Sequence, residues 1–156
     1  MRVPRVAYFP DSFHEVNGVA HTSRNFVDFA GRRGLPFLCV RAGDRERAFE
    51  QDGELRTLEL KRSRLSVAIE KDLAFDPFFW RYRGMIEREL ERFRPDVIHS
   101  TGPSELGIFG AYFAWKLGVP LAASWHTNVH EYAGRRLERL TRWLPERHAA
   151  ALGRSV

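Results

Sequence analysis

The side chains most able to do chemistry lie in three short stretches: Pro10–Gly18 (P-D-S-F-H-E-V-N-G), Thr101–Pro103 (T-G-P) and His126–Glu131 (H-T-N-V-H-E). Gly18–Val19 and Gly102–Pro103 read as helix starts, whose unpaired N–H groups and positive dipole end make an anion site. Gly18 would let a phosphate or a sugar approach the backbone; the plainer reading makes both glycines turn residues. His126 reads as a hydrogen-bond donor, neutral or charged. His99, inside an apolar run, reads as a satisfied core histidine.

Other chemistries are excluded by spacing. No G-x-G-x-x-G follows the first apolar run and no G-x-x-x-x-G-K-[ST] exists, so dinucleotide and P-loop sites are absent. His130-Glu131 begins like a zinc-protease motif, but the partner position holds Gly134. With one cysteine, Cys39, and no third ligand near His126 and His130, no metal is expected. There is no G-x-S-x-G elbow, and no carboxylate pair is placed as a glycosidase nucleophile and acid.

These stretches need elements to hold them. Val3–Phe9 reads as a buried strand, followed by a helix over Val19–Arg33 with Gly34 as a left-handed cap. Pro36–Val40 is a second strand, Arg41–Gly53 a charged loop, and Glu54–Leu60 a third strand. Arg62–Asp76 has no clear period. Asp76-Pro77 starts a helix that runs to Arg94, with Phe79, Tyr82, Met85, Ile86, Leu90 and Phe93 as its apolar stripe. Asp96–Ser100 is a strand. The helix after Thr101 is apolar nearly all round, hence heavily buried, with Gly107, Gly110 and Ala111 as a smooth strip and Gly118 as its cap. Pro120–Trp125 is a strand, His126–Gly134 a loop, and Arg135–Leu152 a last helix. Strands joined by helices, without hairpins, predict a doubly wound, mainly parallel α/β sheet with helices on both faces. Ligands bind such sheets at the carboxyl ends of the strands, which places all three stretches on one polar rim.

The chain has 156 residues, 44% hydrophobic and 29% charged, which suits one globular domain and excludes disorder. The net charge is +5, and only Lys61, Lys71 and Lys116 among the 25 basic residues are lysines. Arginines 81, 83, 88, 92 and 94 fall on one helix, and 135, 136, 139, 142 and 147 on another. They read as solvated outer faces or as a surface for anionic lipid. The aromatics follow apolar stripes and are not interleaved with arginines, so nucleic acid is not an expected partner.

Three blocks carry a resemblance: Tyr8–Phe26 (Y-F-P-D-S-F-H-E-V-N-G-V-A-H-T-S-R-N-F), Pro95–Pro103 (P-D-V-I-H-S-T-G-P) and Ser124–Tyr132 (S-W-H-T-N-V-H-E-Y). Together they resemble the N-terminal half of retaining family-4 glycosyltransferases, nearest the lipid-directed mannosyl- and sulfoquinovosyl-transferases. The resemblance implies a Rossmann-like domain, one half of a two-domain B-type fold. It implies transfer of a hexosyl group from a nucleotide-diphosphate sugar to a lipid or glycan acceptor, without cofactor or metal. Residues 1–156 are then a single acceptor-binding domain. The C-terminal donor-binding domain is expected to lie outside the chain, leaving this half inactive by itself. By the same resemblance His126 is catalytic, and Asn17, Gly18 and Val19 form the loop at the donor phosphates and sugar. Asp11, Ser100, Thr101, Gly102, Thr127, Asn128 and Tyr132 line the acceptor side. Many relatives carry two glycines in the first loop, whereas Asn17 precedes a single glycine here. A single cysteine, unable to form an internal disulfide, makes a reducing cytoplasm the simplest setting, and the basic helices allow a peripheral place at the inner face of the membrane. The competing reading is a non-catalytic Rossmann-type module for phospho-ligands or nucleic acid.

Overall fold

The computed structural model describes residues 2–44, 48–70 and 73–124, all within one compact unit, Met1–His126. Its centre is β1 (Val6–Phe9), where Ala7, Tyr8 and Phe9 are wholly buried. A strand this apolar on both faces belongs inside a parallel sheet. It pairs in parallel with β2 (Phe37–Gly43) on one side and β7 (Val97–Ser100) on the other. Beyond β2 lie β4 (Leu55–Lys61) and β3 (Ala48–Asp52), and beyond β7 lies β8 (Leu121–Ala123). The order is β3-β4-β2-β1-β7-β8, and only β3 runs antiparallel.

Alternation along β1 divides the core. Ala7 and Phe9 join Leu38 and Ile98 on one face, under α2 (Arg83–Phe93) and α3 (Glu105–Leu117), through Ile86, Leu90, Phe93, Leu106, Phe109 and Phe113. Tyr8 faces the other way, with Phe37 and Cys39, against Val27 and Ala30 of α1 (Gly18–Arg33). Helices therefore cover both faces of a mainly parallel sheet, the Rossmann-like arrangement expected. Gly34 and Gly118 close α1 and α3 at φ 60° and 65°, the left-handed caps the sequence predicts. At Gly110, α3 comes so near the sheet that an added Cβ would stand 3.1 Å from Ser100 Cβ.

Four expectations need correction. The charged stretch 41–53 is not all loop: β2 extends to Gly43, and β3 forms a hairpin with β4 about Asp52-Gly53. The stretch 62–76 holds a second hairpin, β5 (Val67–Glu70) with β6 (Leu73–Phe75). The helix after Asp76 opens as a 3-10 helix, Pro77–Tyr82, before α2 begins. There Arg81 Nη2 and Tyr82 OH both donate to Lys61 O, at 2.6 and 3.0 Å, and a 3-10 turn at a helix start is a common arrangement. Finally, α3 is not buried all round, because Ile108 and Trp115 are 49% and 79% exposed and Ala111 is exposed too. The expected loop 126–134 and helix 135–152 lie outside the described residues.

Candidate functional site

The winding of the sheet reverses between β1 and β7, where Phe9 and Ser100 are register partners. Two loops leave from these adjacent carboxyl ends, and Asp11 clasps them together. Its N–H donates to Thr101 Oγ1 at 2.9 Å, and Thr101 N–H donates to Phe9 O at 3.3 Å. Ser104 donates to Asp11 Oδ1 from its backbone N–H, at 3.3 Å, and from its hydroxyl. A Cβ at Gly102 would fall on the Asp11 carboxylate and force this clasp to shift. Burial pushes the Asp11 carboxyl above its ordinary range; Glu105 adds to this, while the Ser104 hydrogen bonds and Arg62 oppose it.

The rim continues toward β2 and β4 as a chain of ion pairs. Arg41 Nε and His14 Nε2 both meet Glu59 Oε2, at 2.8 and 3.1 Å. Arg62 links Glu105 Oε1, at 2.9 Å, to Glu15 Oε1, at 3.5 Å. The Glu105 side chain is 4% exposed, and its Oε2 is buried with no hydrogen-bond partner among the described residues. Arg24 Nη1 holds the first loop by donating to Phe13 O at 2.5 Å. Of these residues, Arg41, Glu59, Arg62 and Glu105 were not marked by the sequence as part of a site. One signal was present: Glu59 is a carboxylate between two leucines, Leu58 and Leu60, that are both buried.

The first loop ends at Asn17, whose Oδ1 accepts from Ala20 N–H at 2.7 Å and whose Nδ2 donates to Ser12 Oγ at 3.4 Å. Gly18 opens α1, is exposed, and would accommodate a Cβ without meeting any atom within 4 Å. Val19 is half-buried, and no acidic residue in the first turn offsets the positive end of the helix. Such an end can hold an anion. Ser100 is buried, and its backbone oxygen accepts from Ser124 N–H at 2.9 Å.

Asp11, Asn17, Gly18, Val19, Ser100, Thr101 and Gly102 thus lie at one end of the sheet. His126, Thr127, Asn128 and Tyr132 lie outside the described residues. His99 packs 5.1 Å from the Tyr8 ring and meets Ser124 Oγ at 2.6 Å; it is half-buried, so it is satisfied in its contacts but stands at the margin of the core. Among the described residues no group of three or more His, Cys, Asp or Glu could hold a metal ion, and no helix is long and apolar enough to cross a membrane.

Comparison with known proteins gives this rim a lineage. The family model described as Glycosyltransferase Family 4 matches residues 16–155. The chain is 31% identical over 137 residues to the sulfoquinovosyl transferase SQD2 of Arabidopsis thaliana, covering 84% of this chain and 25% of that protein. It is 28% identical over 133 residues to a GDP-mannose-dependent alpha-mannosyltransferase of Mycobacterium tuberculosis (strain CDC 1551 / Oshkosh), covering 83% of this chain and 34% of the relative. The chain therefore spans between a quarter and about a third of these relatives' length. Matched across nearly all of its residues, the chain belongs to glycosyltransferase family 4.

Proposed function

We propose that the chain is the acceptor-binding half of a retaining hexosyltransferase, which moves a sugar from a nucleotide diphosphate to a hydroxyl of a lipid or glycan. The observation that carries this is Gly18. It is exposed at the start of α1, and nothing in the chain's own packing requires the absence of a side chain there. A donor diphosphate approaching the backbone does require it. As the sugar–phosphate bond breaks, charge builds on the departing diphosphate, and N–H groups at a helix start stabilise such charge. The new bond forms from the acceptor oxygen to the same face of the sugar, and the acceptor proton passes to the departing phosphate. No metal enters this scheme. The relatives' names, one for mannose and one for sulfoquinovose, support a hexose-like donor.

Asn17, Gly18 and Val19 then serve the donor phosphates and sugar, and His126 donates a hydrogen bond to the transferred sugar. Asp11, Ser100, Thr101, Gly102, Thr127, Asn128 and Tyr132 form the acceptor side. In the longer, two-domain polypeptide that the reading implies, His126→Ala lowers turnover about 100-fold or more without changing the melting temperature. Turnover near that of the parent overturns the role. The 156-residue chain alone is expected not to turn over, and steady turnover with donor and acceptor would refute that part.

A peripheral, lipid-facing position is supported by one surface. Trp80 and Trp115, 48% and 79% exposed, both pack on Tyr112, whose OH accepts from Arg83 at 3.3 Å. Aromatic and cationic side chains together suit an anionic bilayer interface. Trp115→Ser should reduce co-sedimentation with anionic vesicles several-fold; unchanged binding removes this surface from the reading.

A further inference from the structure

We propose that a cavity at the amino-terminal end of the sheet binds a compact polyanion of the polyphosphate class, separately from the rim described above. The cavity measures about 860 Å3 and is lined by Arg2, Arg5, Arg88, Arg92, Arg94 and Glu91. β1 sets the two places apart: its four residues at about 3.3 Å each put roughly 13 Å of strand between the cavity and the loop after Phe9.

The arginines converge from two segments distant in sequence, one leading into β1 and one closing α2. Arg5 is pinned between them: its Nε donates to Phe93 O, 88 positions away, at 2.6 Å, and its guanidinium lies 4.6 Å from the Phe93 ring centroid. Asp96 holds Arg2 at 3.0 Å, and Glu89 holds Arg92 at 2.9 Å. Among the described residues, no carboxylate forms an ion pair with Arg88 or Arg94, whereas Asp96 accepts from the Arg5 backbone N–H at 2.8 Å and feels the Arg5 charge. The negative end of the α2 dipole accounts for cations in its last turn. It does not account for Arg2 and Arg5 arriving from elsewhere.

Arg94 is a second, independent observation. It is the one non-glycine residue with positive φ among the described residues, at 52°. Glycine or asparagine adopts this conformation more readily, so a cation stands here against a backbone preference. Crowding guanidiniums around a shared space costs Coulomb energy that a bound anion reverses. Their planar forks match phosphate oxygens two at a time, which favours polyphosphate over a simple monovalent ion.

Calorimetric titration of the chain with tripolyphosphate tests the proposal. The expected result is saturable binding that the double variant R88Q/R94N weakens about tenfold or more, with R32Q/R64Q, at exposed positions elsewhere, staying within about twofold of the parent. Asparagine suits the backbone at 94, and circular dichroism verifies that both variants fold. Equal weakening by the two pairs, or no saturable heat, overturns the site. A vesicle arm identifies the source of the phosphate. If R88Q/R94N lose binding to phosphatidylglycerol vesicles and tripolyphosphate displaces the parent chain from them, the phosphates are lipid headgroups. If calorimetric binding is intact while vesicle binding ignores both, the ligand is a free polyphosphate.

Discussion

At Asp11, geometry and titration pull in opposite directions. The carboxylate clasps two loops, yet burial raises its pKa, so ionisation in the folded chain costs free energy. Because the folded state holds this proton more tightly than the unfolded state, stability falls as pH rises from about 4 through the raised folded pKa. Asp11→Asn keeps an acceptor for Ser104 and removes the titration. Urea denaturation across pH 4 to 8 should therefore show a flatter pH profile for the variant, with unaltered stability at the acid end. A profile parallel to that of the parent would contradict this. Asp11→Leu, which strands the Ser104 donors, should cost about 2–3 kcal/mol at every pH. Cys39 behaves more simply: burial pushes its thiol up to about 12, so it should react with a thiol reagent only as fast as the fold opens.

Among the elements, the junction at Asp76 has the most concentrated bonding. This carboxylate, 1% exposed, accepts from Ser63 N–H at 2.6 Å, Ser63 Oγ at 2.8 Å, Phe78 N–H at 2.9 Å and Arg81 Nη1 at 3.1 Å. Burial alone would raise its pKa; the Ser63, Arg81 and Phe78 donors outweigh that and hold it below the usual range. Its contribution is therefore present at neutral pH and lost as pH falls through the lowered folded value. Asp76→Ala should cost about 2–3 kcal/mol in chemical denaturation, since it leaves several donors unmatched. This cap was legible because Asp-Pro before an apolar stripe has a local meaning. The caps at Gly34 and Gly118 and the buried run of β1 were legible for the same reason. The strand β3 was not: its F-E-Q-D run is exposed at the sheet edge and lacks apolar alternation, although Asp52-Gly53 marked its turn. At the site, Asp11, Thr101 and Gly102 could be read from their place after strands. Arg41–Glu59, Arg62–Glu105 and Arg62–Glu15 could not, because those partners stand 18, 43 and 47 positions apart and meet only through the topology.

For the molecule as a whole, stability is graded from the middle of the sheet outward. β1 is flanked by strands and covered by helices, whereas β3 has one neighbour and Phe49 is 46% exposed. Amide hydrogen exchange should be slower at Ala7, Tyr8 and Ile98 than along β3; the reverse order would contradict the gradient. The two borders of the sheet also differ in character. β3 presents Glu50, Gln51 and Asp52, polar residues that discourage a foreign strand from annealing, while β8 presents Leu121, Ala122 and Ala123, all exposed and uncharged. Among the described residues, a further strand would find a guarded margin beside β3 and a receptive one beside β8.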